Sequence, residues 1–313
     1  MDTMINQILI RSLLFIPGNQ PKMLEKALTL KPDAFVLDME DSVPFSEKER
    51  ARYCVAEYVD KISKTNIPII PRVNSLETGL IDDDLKAVVG PSIFGISVGK
   101  VGSSEDLMIV DKKISWLESK SGIEVGKIKL LAWIETALGV VNSHQICKSS
   151  DRLVAVCFGA EDYTNDMQIP RHGSSKEKDV NDTETELDDN PAIVYPRTVI
   201  PIYSKAAGII ALDTPYFAYK DQKGLITDCQ NAKRLGFEGK FAIHPEQIDT
   251  INQNFSPTKQ EFDQAVREIQ VYEESENLGR GSTSLEYQVI DVPVVERARK
   301  LVRRYKTITG DEG

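Results

Sequence analysis

Short apolar runs rich in β-branched side chains recur along the chain, and longer segments with helical spacing of apolar positions separate them. The runs predict strands at 11–16, 34–39, 68–73, 94–98, 129–134, 153–158, 208–212 and 241–243. The intervening periodicity predicts helices that include 21–30, 46–61, 105–121 and 139–149. Near-continuous apolar strands alternating with amphipathic helices imply parallel strands buried on both faces. Eight such units within 313 residues favour a closed (β/α)₈ barrel, the TIM-barrel architecture, over an open sheet.

Two segments stand outside this alternation. Residues 172–190 carry almost no apolar side chain and read as a solvated insertion after the sixth strand. Beyond the eighth strand come a helix at 257–274, a polar glycine-containing stretch at 275–284 and a further segment at 287–305. The chain is thus expected to divide into a barrel at 1–255 and a C-terminal helical extension at 256–313.

Polar residues gather where the predicted strands end. Asp38, Glu40 and Asp41 close the second, Arg72 the third, Lys100 the fourth and Glu135 the fifth. Glu161 and Asp162 follow the sixth, Asp213 the seventh and His244 the eighth. Any one of these is an ordinary turn residue, but in a barrel all are expected to face the C-terminal mouth, where barrel enzymes work.

Glu135 and Asp162 lie on adjacent strands, about 4.8 Å apart in a sheet. Carboxylates so placed suit a shared hard cation such as Mg²⁺, a general acid–base pair, or a salt bridge to Arg72. Arg72 cannot donate a proton at neutral pH, so its expected role is to stabilise a carboxylate or a developing enolate oxygen. Asp38, Glu40 and Asp41 stand as supporting partners. Lys22 and Lys26 share one helix face by their i, i+4 spacing, as do Lys48 and Arg52; together they offer a basic patch for an anionic nucleotide, or else are ordinary solvated helix faces. His244, held extended by Pro245, is expected to line the pocket or to hydrogen-bond a strand end. No nucleophile with a partner base stands out, and no lysine falls in the interior of a predicted strand as a Schiff-base candidate, which favours metal–enolate over covalent chemistry.

Composition narrows the partners. With 48 acidic against 38 basic residues the net charge is −10, which argues against nucleic-acid binding. Cys54, Cys147, Cys157 and Cys229 are scattered without a CxxC pair, so neither a zinc site nor a disulfide framework is expected. No apolar run approaches membrane-spanning length, and the first ten residues do not read as a targeting peptide. A cytoplasmic protein is expected; a trimmed mitochondrial chain would look the same.

Specific motifs sharpen this. The run Arg11-Ser12-Leu13-Leu14-Phe15-Ile16-Pro17-Gly18-Asn19 resembles the opening of the citrate lyase β-subunit-like family. So do Leu37-Asp38-Met39-Glu40-Asp41-Ser42-Val43, Arg72-Val73-Asn74, Ile134-Glu135-Thr136, Phe158-Gly159-Ala160-Glu161-Asp162-Tyr163 and Ala242-Ile243-His244-Pro245-Glu246-Gln247. The resemblance spans nearly the whole chain, and Asn74-Ser75 with Gly79-Leu80, and Gly236-Phe237 with Gly239-Lys240, look closest to its citramalyl-CoA and malyl-CoA lyases.

The resemblance implies a homotrimeric, Mg²⁺-dependent barrel that cleaves a 3-hydroxyacyl-CoA into an acyl-CoA and a 2-oxo acid. It implies metal carboxylates at Glu135 and Asp162, a catalytic arginine at Arg72, coenzyme A contacts at Lys22 and Lys26, and further substrate contacts at Lys48 and Arg52. The run Val289-Ile290-Asp291-Val292-Pro293 resembles the segment that caps a neighbouring subunit, with Asp291 as the acid/base for the thioester α-carbon; read from the residues alone, Asp291 is also suited to cap the helix that starts at Pro293. Phe15 departs from the tyrosine frequent in that branch, which puts one substrate hydrogen bond in doubt. Two other functions remain open: a metal-dependent aldolase acting on free 2-oxo acids, and a non-catalytic acyl-CoA-binding regulator.

Overall fold

Eight strands close a parallel barrel in the order β1 to β8 in this computed structural model, which describes residues 9–170 and 191–310. The first half runs β1 (Ser12–Pro17), α1 (Pro21–Ala27), β2 (Ala34–Asp38), α2 (Lys48–Ser63), β3 (Arg72–Val73), α3 (Ile81–Val88), β4 (Gly95–Val98) and α4 (Ser104–Lys120). The second half runs β5 (Lys129–Ile134), the short α5 (Ala137–Val141) and α6 (Ser143–Ile146), β6 (Leu153–Phe158), α7 (Ala160–Asp166), α8 (Pro191–Ala207), β7 (Ile210–Asp213), α9 (Gln222–Leu235) and β8 (Gly239–Ala242). Then come α10 (Ile248–Asn254), α11 (Lys259–Asn277), the antiparallel β9 (Ser282–Leu285) and β10 (Gln288–Asp291), and α12 (Val292–Thr309). The chain separates into two compact units, Met1–Asn252 and Gln253–Gly313. The polar insertion at 172–190 lies outside the described residues.

Inward-facing Leu13, Val36, Ile70, Leu131, Trp133, Ala155, Cys157, Leu212 and Phe241 fill the barrel. Strand alternation then fixes what comes next at the mouth. Asp38 follows Val36 by two positions, Arg72 follows Ile70, and Glu135 follows Trp133, so all three turn inward. Near the mouth the rings of Phe15, Trp133 and Phe241 pack with centroids 4.3–5.7 Å apart, and Trp133 donates its indole N–H to Ser97 at 2.8 Å.

Four local readings change. The expected third strand at 68–73 keeps a regular ladder only at Arg72–Val73, with an isolated bridge between Ile69 and Phe35. Pro68 and Pro71 have no N–H to donate, which interrupts the ladder. The expected helix at 139–149 divides at Asn142, whose side chain turns to donate to the Gly102 carbonyl at 2.8 Å. The polar stretch at 275–284 includes the end of α11 and the first residues of β9.

The eighth strand begins at Gly239, so Lys240 lies inside a strand after all, and it is fully buried. Its ammonium bonds Asp213 at 2.6 Å and also Asp228, while Arg197 bonds the same two aspartates at 2.8 and 2.9 Å. Asp213 therefore does not face the mouth as expected. It follows inward-facing Leu212 by one position and turns outward, toward α8 and α9. Two cations against two carboxylates leave this buried cluster neutral, the condition for holding charge in a core. Burial alone would raise the Asp213 carboxyl, but Arg197 and Lys240 hold it below its ordinary range.

The second unit has its own small core of Tyr272, Ile290 and Val295. Glu286 and Tyr287 join β9 to β10 with φ of 51° and 67°, the left-handed pair that a two-residue hairpin turn requires. Thr258 opens α11 with a capping box closed by Glu261.

Candidate active site at the barrel mouth

The ends of β2 to β6 bring one dense cluster of charge together. Arg72 makes a bidentate pair with Asp38, Nε to Oδ1 and Nη2 to Oδ2, both at 2.7 Å. Its Nη1 reaches Glu40 at 3.3 Å and Asp41 at 3.4 Å, and its guanidinium carbon stands 4.7 Å from the Phe15 ring centroid. Two parallel hydrogen bonds and a ring beneath it fix the plane of the guanidinium. Burial would raise the Asp38 carboxyl, but Arg72, with N–H groups of Glu40 and Ser42, holds it down to about 2.

Lys100 is the residue that sequence reasoning placed at a strand end and did not put among the site residues. Its φ of 53° is left-handed, an uncommon state for a side chain of this size. That turn aims its backbone N–H at Glu135 Oε1, 2.8 Å away, and its ammonium at Glu40 (3.2 Å), Asp41 (3.0 Å) and, more distantly, Asp162 (3.7 Å). Burial, then Asp162 and Glu40, pushes the Glu135 carboxyl up to about 8. Burial, with Asp41 and Asp38 nearby, also raises Glu40 despite Arg72 and Lys100. Asp162 is raised by burial and by Asp41, against the pull of Lys100. The mouth thus crowds together more carboxyl groups than Arg72 and Lys100 can pair.

That surplus is what a bound cation would relieve. Glu40 Oε2 is buried without a hydrogen bond among the described residues. Gly99 and Gly159 leave room for carboxylates, since a Cβ at either would overlap Glu40 or Glu135. Among the described residues no three His, Cys, Asp or Glu side chains come together as a metal cage. A pair of carboxylates such as Glu135 and Asp162 would suit an ion that completes its octahedron with water and ligand oxygens, which is the habit of Mg²⁺.

The expected basic patch divides. Lys22 and Lys26 are exposed on α1. Lys48 instead donates to the carbonyls of Met39 and Glu40 at 2.9 and 2.7 Å, and so ties down the loop that carries Glu40 and Asp41. Arg52 pairs with the fully buried Asp84 at 2.9 Å. Asp84 in turn accepts from the backbone and side-chain N–H groups of Asn74 at 2.9 and 2.6 Å, anchoring the loop that follows Arg72. His244 accepts a hydrogen bond from the Glu246 N–H through Nδ1 at 3.3 Å, and its ring lies 4.7 Å from that of Tyr219. In the second unit, Asp291 is the N-cap of α12, accepting from the Val294 N–H at 3.3 Å.

Residues 11–245 match the model of the HpcH/HpaI aldolase/citrate lyase family. The chain belongs to that family. Among its relatives, the citrate lyase subunit beta of Leuconostoc mesenteroides subsp. cremoris is 34% identical, covering 96% of this chain and 94% of that protein. The mitochondrial citramalyl-CoA lyase of Rattus norvegicus is 30% identical, covering 93% of this chain and 85% of that protein. The structure of CitE from Mycobacterium tuberculosis in complex with magnesium, acetoacetate and coenzyme A is 25% identical, with a TM-score of 0.71 over 95% of this chain and 98% of that one. Like its relatives named citrate lyase subunit beta and citramalyl-CoA lyase, the chain is a carbon–carbon lyase. The motifs at the mouth bore the family resemblance, and the citrate lyase subunit beta branch matches at slightly higher identity than the citramalyl-CoA branch. Among the described residues, no helix is long and apolar enough to cross a membrane.

Proposed function

We propose that this lyase cleaves, or in reverse forms, a 3-hydroxyacyl-CoA such as citramalyl-CoA or malyl-CoA, giving acetyl-CoA or another acyl-CoA and a 2-oxo acid. The observation that carries the reading is the pair Glu135 and Asp162 beside Arg72, with more carboxylate than cation around them. Glu135 and Asp162 would hold Mg²⁺, which when bound supplies Lewis-acid polarisation of the substrate's carboxylate and hydroxyl or oxo oxygens. Arg72 is held rigid by Asp38 and offers fixed positive charge to the oxygen on which charge develops as the carbon–carbon bond breaks. Asp291 of a neighbouring chain would deliver the proton to the thioester α-carbon. That last role requires an assembly, and a homotrimer in which the second unit of one chain caps the mouth of the next is part of this reading. The exposed Tyr287 and Val289 at the hairpin offer apolar surface for such a contact.

Incubating the protein and Mg²⁺ separately with malyl-CoA, methylmalyl-CoA and citramalyl-CoA, with products read by mass spectrometry, tests the substrate. Release of acetyl-CoA or propionyl-CoA with a 2-oxo acid is expected from at least one. Turnover of free 2-hydroxy or 2-oxo acids alone would move the reading to a free-acid aldolase, and binding without turnover to a regulator.

Coenzyme A phosphates need cations, and Lys22 and Lys26 are the two of the expected patch that stand exposed on one helix face. Lys22→Glu with Lys26→Glu is expected to raise KM for the acyl-CoA roughly tenfold, with kcat changed less than about twofold, since the change weakens binding and not the chemistry. An unchanged KM at moderate salt would make this face ordinary solvated surface.

A further inference from the structure

The mouth gathers five carboxylates, Asp38, Glu40, Asp41, Glu135 and Asp162; the cations that pair with them through their side chains are Arg72 and Lys100, while the Lys48 ammonium bonds the Met39 and Glu40 carbonyls. Arg72 is committed to Asp38 by its bidentate pair. The remaining carboxylates follow β2, β5 and β6, and Lys100, following β4, contacts all of them. It does so in two separable ways. The backbone N–H orients Glu135, and any residue other than proline would supply it at this position. The ammonium lies among Glu40, Asp41 and Asp162, where charge and not shape is its contribution. The left-handed backbone that directs both groups inward is one a lysine adopts only at some cost, so the surrounding contacts must hold it.

We propose that Lys100 is a positioning residue that tunes cation affinity: its ammonium is an internal counter-ion to the mouth carboxylates, and a divalent ion at Glu135 and Asp162 binds against it. The inference rests on the Mg²⁺ reading above. It follows from placement alone, because two positive charges that share Asp162 repel across a partly buried site, where water screens them incompletely. Lys100 keeps the cluster assembled when no ion is bound and weakens the ion's grip when one is. An ion held less tightly leaves its coordination sphere more readily open to exchange of substrate and product oxygens.

Calorimetric titration of the full chain with Mg²⁺ alone tests this without any turnover. Lys100→Met keeps the backbone N–H on Glu135 and removes only the charge; it is expected to tighten Mg²⁺ binding by roughly tenfold. Lys100→Arg keeps the charge and is expected to stay within about twofold of the parent. Lys100→Gln repeats the neutral substitution should methionine disturb folding, and circular dichroism confirms the fold of each variant. Unchanged or weaker Mg²⁺ binding in both neutral variants overturns the proposal and leaves Lys100 a structural tie between strand ends. Glu135→Gln distinguishes loss of the Lys100 effect from loss of the metal site itself. If the parent binds Mg²⁺ and Glu135→Gln does not, only the role of Lys100 is at stake in the other variants; if the parent and Glu135→Gln behave alike, the metal assignment fails and this inference with it.

Discussion

Glu135→Gln is expected to lower kcat/KM by about 10³-fold or more, because it removes one of the two carboxylates proposed to hold the ion on which catalysis depends. The barrel should remain folded. Glutamine has the same shape, and its amide oxygen can still accept the Lys100 N–H that Glu135 now accepts at 2.8 Å. A second effect is read without substrate. Burial and the nearby Asp162 raise the Glu135 carboxyl to about 8 in the folded chain, against an ordinary value of 4.5. Between those values the folded state binds a proton that the unfolded state has released, so stability of the cation-free protein must fall as pH rises from about 4.5 toward 8. Glutamine does not titrate, so the variant should lose that slope and melt higher than the parent near pH 8. Mg²⁺ should restore the parent most at the high end of this range, where less proton must be displaced. Melting curves against pH, with and without Mg²⁺, check all of this. A parental profile flat across this range, or Mg²⁺ binding unchanged by the substitution, would remove Glu135 from the proposed metal site.

The barrel was legible because its strands are short, apolar and bounded by polar residues, and because eight repeats leave few other architectures. The clustering at the candidate site was legible in part for the same reason: Asp38, Arg72, Glu135 and Asp162 each end or follow a buried run. What misled was treating every strand-end residue alike. Alternation decides direction, and counting by two from Leu212 would have turned Asp213 outward, as counting from Trp133 turns Glu135 inward. Lys240 escaped notice because a lysine ordinarily argues against a strand interior; only the fold reveals the two aspartates and the arginine that make it tolerable. Lys48 and Arg52 illustrate the same limit from the other side. Their i, i+4 spacing is plain in the sequence, yet their partners are backbone carbonyls and an aspartate 32 residues away, which spacing cannot disclose.

These two residues also clarify how the site is held. Lys48 fastens the loop with Glu40 and Asp41, and Arg52 acts through Asp84 on the loop after Arg72. Burial lowers the Lys48 ammonium from its ordinary value, even though Asp38, Glu40, Asp41 and Asp84 pull the other way. Both cations bear on the chemistry through geometry, since a misplacement of about 1 Å in a catalytic constellation can cost as much as a lost contact.

Mixing two inactive chains, Asp291→Ala and Glu135→Ala, is expected to restore activity if Asp291 works in a neighbouring subunit. Asp291 belongs to the second unit, beyond the barrel strands, and opens α12 as its N-cap. Capping is a sufficient reason for an aspartate there, so position alone does not decide. The cap uses Oδ1, at 3.3 Å from the Val294 N–H, and the side chain is only partly buried. Pro293 and the cap fix where the carboxylate stands, while Tyr287 and Val289 on the adjoining hairpin are exposed apolar side chains without a role in the small core. An aspartate so fixed beside uncovered apolar surface is well placed to be carried to a second chain. In randomly mixed rings, about one site in four would combine an intact Glu135 from one chain with an intact Asp291 from the next, so roughly a quarter of parental activity should return. Either variant alone should remain inactive after the same dissociation and reassembly. If subunit exchange is verified by mass and no activity returns, Asp291 is a helix cap, and the proton at the α-carbon must come from elsewhere.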